Sequence, residues 1–402
     1  MPGVLTTGFV VLVAVCAALL YPTVERLGAF RTVQPTGSRD CITVPELQSC
    51  EDIALDHSTG LLYAACSTVQ DRINWLHWLP EIQDRKQYEY LATYDASSRT
   101  VKRLDIAPGG KFDATRSASL HGLDVVPSAA NPKELFLYVI NHRLPATIDE
   151  FVKNGTVDVI EVFKTRAGSA TLEHLHTFSD PSTMIGANGI SGSPDGKSLY
   201  FTNSEGKKMS WRDTLQRTLE MFRASTSVVY CHVDKGCSFV ASGLHGVNGI
   251  VRAPSNNTLY VASSTHALIL VHEVSEDGTI VPTETIPMGA VLLPSLRLSL
   301  IAVEGLPVDN LAMDKDGVIW AAAFPKAITL ATCMQDYTFQ CRVPATALSV
   351  SKGKAPAPYT VERVFEDNGT ITSGVTAVVH DAERKRLFMS GAMQQWLTVC
   401  NV

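Results

Sequence analysis

The chain has 402 residues, of which 45% are hydrophobic and 18% charged, and its net charge is −6. That balance excludes a disordered chain, which needs low hydrophobicity and high net charge. It also argues against a nucleic-acid partner, because the scattered Lys and Arg give no basic excess to neutralise phosphates.

In chain order the first element is apolar. Gly3 to Tyr21 carries no charge, and about 19 helical residues span roughly 28 Å, close to the hydrocarbon thickness of a bilayer. The length fits an uncleaved signal-anchor. Val15-Cys16-Ala17 could instead serve as the cleavage site of a signal peptide, although no Lys or Arg precedes the apolar run. Both readings deliver the rest of the chain to a secretory lumen. The anchor reading adds membrane association through residues 3–21.

Nine cysteines follow the same logic. Cys16 lies in the apolar run, which leaves eight, and none has C-x-x-C spacing. Disulfides in an oxidising compartment are the better reading, not a zinc site. Cys231/Cys237 and Cys333/Cys341 are near enough to staple single loops, and Cys50 is expected to bridge Cys66. Asn154, Asn256 and Asn368 each begin an Asn-x-Thr sequon, an acceptor for glycosylation.

A short pattern then recurs: a turn rich in Pro, Asp, Gly and Asn, followed by an apolar strand. The strands begin near Leu61, Leu135, Leu199, Leu259, Val318 and Leu387, about 60 to 75 residues apart. Residues 206–224 are the best helical exception and could cap one face. Six such units predict an all-β fold, a six-bladed β-propeller closed by N- and C-terminal strands and preceded by one hydrophobic helix. Residues 1–25 are then the signal peptide or anchor, and residues 26–402 a single propeller domain. Closure requires the two chain ends to share a blade, since an open ring exposes strand edges. Cys41 precedes the first unit and Cys400 ends the last, so a disulfide between them would lock the ring.

A second strand precedes each turn, and it begins with a polar residue followed two positions later by Ile, Leu or Val. The first residues are Glu51, His121, Asn188, Asn248, Asp309 and Thr376. The innermost strands of a propeller line its axis, so these six positions converge there. Two carboxylates and the amide oxygens of Asn188, Asn248 and Asn310 form a donor set for a hard cation such as calcium, whereas zinc would want His or Cys. His121 and His142 are the candidate bases, because imidazole accepts a proton near neutral pH.

These stretches together resemble the serum paraoxonase/arylesterase family of calcium-dependent lactonases and esterases. They are Glu51-Asp52, His121-Gly-Leu, Val139-Ile-Asn-His142, Asn188-Gly-Ile, Asn248-Gly-Ile, Val308-Asp-Asn310 and the tail from Asn368 to Cys400, in the family's order. The resemblance implies a catalytic calcium held by Glu51, Asn188, Asn248, Asp309 and Asn310. It implies His121 as general base on water and His142 as its proton relay, with His266 near the pocket. It also pairs Cys41 with Cys400. A second calcium would use Asp52, but Gly189 stands where the family has an aspartate, which leaves that ion in doubt. Phe324 stands where the family usually has a histidine, and residues 71–90 and 205–225 do not match.

The expected activity is hydrolysis of a small lactone or aryl ester. The alternatives are an ester or lactone tailoring enzyme of a secondary-metabolite pathway, a metal-free propeller of the strictosidine-synthase type, and a non-catalytic, calcium-stabilised binding module. The oxygen-ligand ring argues against the metal-free propeller.

Overall fold

The computed structural model of the chain describes residues 21, 23–37, 40–76, 89–108, 112, 118–145, 147–208, 223–254, 257–289, 305–334, 336, 338, 340–353 and 358–402. The apolar run, apart from Tyr21, lies outside these residues, as does Asn256 and most of the helical stretch expected over 206–224. Among the described residues no helix is long and apolar enough to cross a membrane.

Strands arrange in six sheets, each a blade. The first is β2 (Asp52–Asp56), β3 (Leu61–Cys66), β4 (Tyr90–Asp95) and β5 (Thr100–Arg103). The second runs β7 (Leu120–Pro127), β8 (Glu134–Arg143), β9 (Val157–Arg166) and β10 (Thr171–Phe178), with the short β6 (Asp105–Ile106) at its outer edge. The third and fourth begin with β11 (Ala187–Gly192) and β15 (Val247–Arg252). The fifth and sixth begin with β19 (Val308–Met313) and β23 (Ala377–Asp381).

The ring closes as the sequence requires. β1 (Cys41–Val44) is the outermost strand of the sixth blade, paired antiparallel to β25 (Leu397–Asn401). Cys41 stands opposite Cys400, and a disulfide joins them. Three further disulfides, Cys50–Cys66, Cys231–Cys237 and Cys333–Cys341, staple local segments. Four disulfides fit an oxidising, secretory-pathway compartment.

The core is divided among the gaps between blades. Ile53 and Leu55 pack with Val379 and Phe388 between the sixth and first blades. Tyr138, Ile140, Ile190 and Phe201 do the same between the second and third. Each blade buries both faces, which is why the second strand of every unit reads as an apolar run. At the axis each innermost strand contacts the next, from β2 through β7, β11, β15, β19 and β23 back to β2. Bonds between blades lock this inner ring: Asp52 Oδ2 accepts from Leu123 N at 2.9 Å, and Asp124 Oδ2 from Gly192 N at 2.8 Å.

Candidate functional site

The inner ring is tight because glycine follows the polar residue in three blades. A Cβ on Gly189 would stand 2.7 Å from Asn248 O, and one on Gly249 would stand 2.6 Å from Asp309 O. No side chain fits there without displacing backbone. The aspartate that the resemblance calls for at position 189 therefore has no room in this ring.

Glu51 sits at the centre of the contacts. Its Oε1 accepts from Asn310 Nδ2 at 3.2 Å and lies 3.6 Å from His121 Nε2. Its backbone carbonyl accepts from Thr376 Oγ1 at 2.6 Å. Glu51, Asp52, Asp309 and Asn310 are buried. Burial pushes the Glu51 carboxyl up to about 7, against the lowering influence of Arg72, the Asn310 hydrogen bond and His142. Asp309 is raised well above the usual carboxylate range by burial and by the Glu51 charge, with only a hydrogen bond from Asn248 opposing. Asp52 is raised for the same two reasons. Its two oxygens accept from Ile53 N and Leu123 N.

Three buried oxygens here accept no hydrogen bond among the described residues: Glu51 Oε2, Asn188 Oδ1 and Asn248 Oδ1. Buried acceptors are nearly always satisfied. Three orphans from three blades, beside carboxylates whose charge burial opposes, fit an oxygen-seeking divalent cation. Among the described residues no group of three or more His, Cys, Asp or Glu is arranged for a metal. The set is carboxylate plus amide oxygen.

His121 and His142 adjoin this set as an edge-to-face pair, ring centroids 5.1 Å apart. Burial, then the His142 and Arg72 charges, hold His121 well below the usual histidine range. His142 Nδ1 lies 2.8 Å from Asp158 Oδ1, which also accepts from Thr156 Oγ1 at 2.9 Å. Asp158 Oδ2 accepts from Gly186 N and Ala187 N at 2.8 and 3.2 Å. Burial alone would raise Asp158, but His142, Lys208 and Thr156 hold it well below the carboxylate range.

The two histidines, Asp158 and Asn188 line one cavity of about 150 Å³. Its outer wall includes Asn154, Gly155 and Thr156. A short helix places them: α2 (Ile148–Asn154) starts at the N-cap Thr147, whose hydroxyl accepts from Glu150 N. It stops at Gly155, φ 70°. The sequon residue Asn154 is exposed at that wall, and Asn368 is exposed elsewhere. His266 instead packs on His245, with centroids 4.2 Å apart.

The sequence reading missed Asp158, Arg72 and Glu89. Asp158 stands on the third strand of its blade, opposite His142 in the ladder. Arg72 belongs to α1 (Val69–Leu76), in the stretch that matched no motif.

Fold and site together define a six-bladed β-propeller with buried carboxylate and amide oxygens at the heads of its innermost strands and a histidine pair in the adjoining cavity. A family model described as Arylesterase matches residues 84–401, and the chain belongs to that family, the one its motifs resemble. No curated protein gives a significant match. Among solved structures, the chain is similar to the major allergen Mala s 1 of Malassezia sympodialis, at 12% identity and a TM-score of 0.52, covering 90% of this chain and 95% of that one. It is also similar to a gluconolactonase of Xanthomonas campestris, at 14% identity and a TM-score of 0.45, covering 92% and 98%. At such identities the likeness concerns the fold.

Proposed function

We propose that the chain is a calcium-dependent hydrolase of lactones or aryl esters, acting at the propeller axis. Family membership supports an ester or lactone hydrolase at the coarse level. The observation that carries the finer reading is the trio of orphaned buried oxygens, Glu51 Oε2, Asn188 Oδ1 and Asn248 Oδ1, beside the His121–His142 pair.

Glu51, Asn188, Asn248, Asp309 and Asn310 would hold one calcium ion. When bound, that ion supplies polarisation of the substrate carbonyl and stabilisation of the negative charge that develops on its oxygen. His121 takes a proton from water as the water oxygen attacks the carbonyl carbon. His142 passes the proton on, and the departing alkoxide or phenolate receives one as the carbon–oxygen bond breaks. Asp158 accepts the Nδ1 proton of His142, which leaves Nε2 as the basic nitrogen. The cavity beside the pair admits a small ester. Asp52 accepts one backbone N–H on each oxygen, and Gly189 offers no second carboxylate beside it, so the reading uses one ion. The apolar run at residues 3–21, as signal or anchor, would deliver the propeller to the secretory pathway.

The test is a panel of lactones and phenyl acetate, assayed with and without a chelator. Hydrolysis that chelation abolishes and calcium restores is expected. Full hydrolysis in chelator, or none under any condition, overturns the reading.

A further inference from the structure

Leu120, the residue before His121, is held by both sides of its backbone. Its N–H donates to Glu89 Oε2 in a short hydrogen bond, and its carbonyl accepts from Arg72 Nη2 at 3.4 Å. The same Nη2 donates to Ser49 O at 3.4 Å, two residues before Glu51. Arg72 and Glu89 form an ion pair at 3.3 Å, with side chains only 3% and 1% exposed. One lies on α1 and the other immediately before β4, so neither belongs to the inner ring it touches.

A buried ion pair is a weak source of stability, and apolar residues of equal volume often replace one at no loss. This pair does something an apolar pair cannot. Its donors and acceptor reach main-chain groups at the head of the first blade and the head of the second. Rigid placement of a base within reach of its proton matters, since misplacement by about 1 Å can cost 100-fold in rate.

We propose that Arg72 and Glu89 are positioning residues for His121: together they clamp Leu120 and tie it to the start of the first blade, so that the imidazole is fixed relative to Glu51. The proposal rests on the reading of His121 as the base.

The test is a double-mutant cycle on the full-length, calcium-loaded protein, with δ-valerolactone and phenyl acetate as probes. One arm is the neutral pair, Arg72→Met with Glu89→Gln, in which the Gln still offers an acceptor to Leu120 N–H. The other arm is His121→Gln. In the parent background the neutral pair should lower kcat roughly 10- to 100-fold with KM within about twofold. In the His121→Gln background it should lower kcat by less than about twofold, because the object of the clamp is gone. Arg72→Lys, which keeps a charged donor, should recover part of the loss. If the neutral pair does not fold, Arg72→Lys carries the same cycle. Equal fractional losses in both backgrounds, or normal kcat in the parent background, overturn the positioning role. Normal turnover of His121→Gln alone overturns the reading of His121 as base, whatever the pair does.

Discussion

His142 and Asp158 stand opposite each other on β8 and β9, and Asp158 Oδ1 lies 2.8 Å from His142 Nδ1. A cross-strand pair of this kind cannot slip without shifting the whole ladder, so the imidazole inherits the rigidity of the sheet. The carboxylate is in turn fixed by two backbone N–H groups, from Gly186 and Ala187 at the head of the third blade. Asp158 thereby couples His142 to the blade that carries Asn188.

The first prediction concerns that carboxylate. We predict that Asp158→Asn lowers kcat roughly 10- to 100-fold and leaves bound calcium unchanged, because the amide no longer fixes the His142 tautomer. Asp158 is held below the usual carboxylate range, so its unfolded form binds protons more readily than its native form. The stability it contributes is complete above about pH 4 and is lost as pH falls through its native value. Acid titration followed by circular dichroism should therefore show the parent losing more stability than the variant from pH 5 to pH 2. Parallel acid curves, or parent-like kcat, would contradict the assignment.

The second prediction compares disulfides. Cys41–Cys400 has a sequence separation of 359, and Cys231–Cys237 a separation of 6. Loop-entropy reasoning gives about 5–6 kcal/mol for the first and about 2 kcal/mol for the second, both as upper values. The closing pair also protects the edge where β1 meets β25. Guanidinium unfolding of Cys41→Ser/Cys400→Ser should show the larger loss, by at least about 2 kcal/mol. Equal losses would mean that strand pairing alone closes the ring.

How much of this was legible from sequence depends on the strand. Innermost strands carry a polar residue, a small or short residue and then a branched apolar one, and this register placed Glu51, His121, Asn188, Asn248, Asp309 and Thr376 at the blade heads. The pattern exists because the first residue faces the axis while the second must fit against the neighbouring blade, as Gly189 and Gly249 do. Third strands face no such constraint. Asp158 therefore lies in a mostly apolar, almost continuously buried run, VDVIEV, in which no repeated register marks it. Arg72 and Glu89 meet Leu120 across 48 and 31 residues, a separation that no periodicity encodes. Gly189 was legible as a departure from the family, but its reason, the Asn248 carbonyl at 2.7 Å from a Cβ, was not.

The third prediction uses an orphaned oxygen. Asn188 Oδ1 is buried and accepts no hydrogen bond among the described residues. An unsatisfied buried acceptor costs about 1–3 kcal/mol, and an apolar residue of the same shape removes that cost. Asn188→Leu should therefore raise the melting temperature in chelator. In calcium the order should reverse, because the parent gains stability by binding the ion and the variant gains less. Thermal unfolding of both proteins with and without calcium checks this. A variant more stable than the parent in both conditions would mean that Asn188 serves no cation.

The fourth prediction separates the base from the metal set. Asp309 is buried, close enough to Glu51 for the two charges to oppose each other, and hydrogen-bonded by Asn248. Asp309→Ala removes one of two carboxylates from the proposed set, so calcium affinity and activity on every substrate should fall together. His121 lies 3.6 Å from Glu51 Oε1, with its side chain 24% exposed toward the cavity, and is assigned to water. His121→Gln keeps a polar side chain of similar reach, so bound calcium should match the parent while kcat falls roughly 100- to 10,000-fold. The loss should be larger for an aliphatic lactone than for phenyl acetate, because an aryl ester has the more electrophilic carbonyl, which a less activated water can attack, and a phenolate departs without needing a proton. Calcium titration by calorimetry and turnover on both substrates decide the matter. If His121→Gln turns over lactone normally, the base lies elsewhere, with His142 next in line because it shares the cavity. If Asp309→Ala binds calcium as the parent does, the blade-head oxygens are a polar lining and not a ligand set.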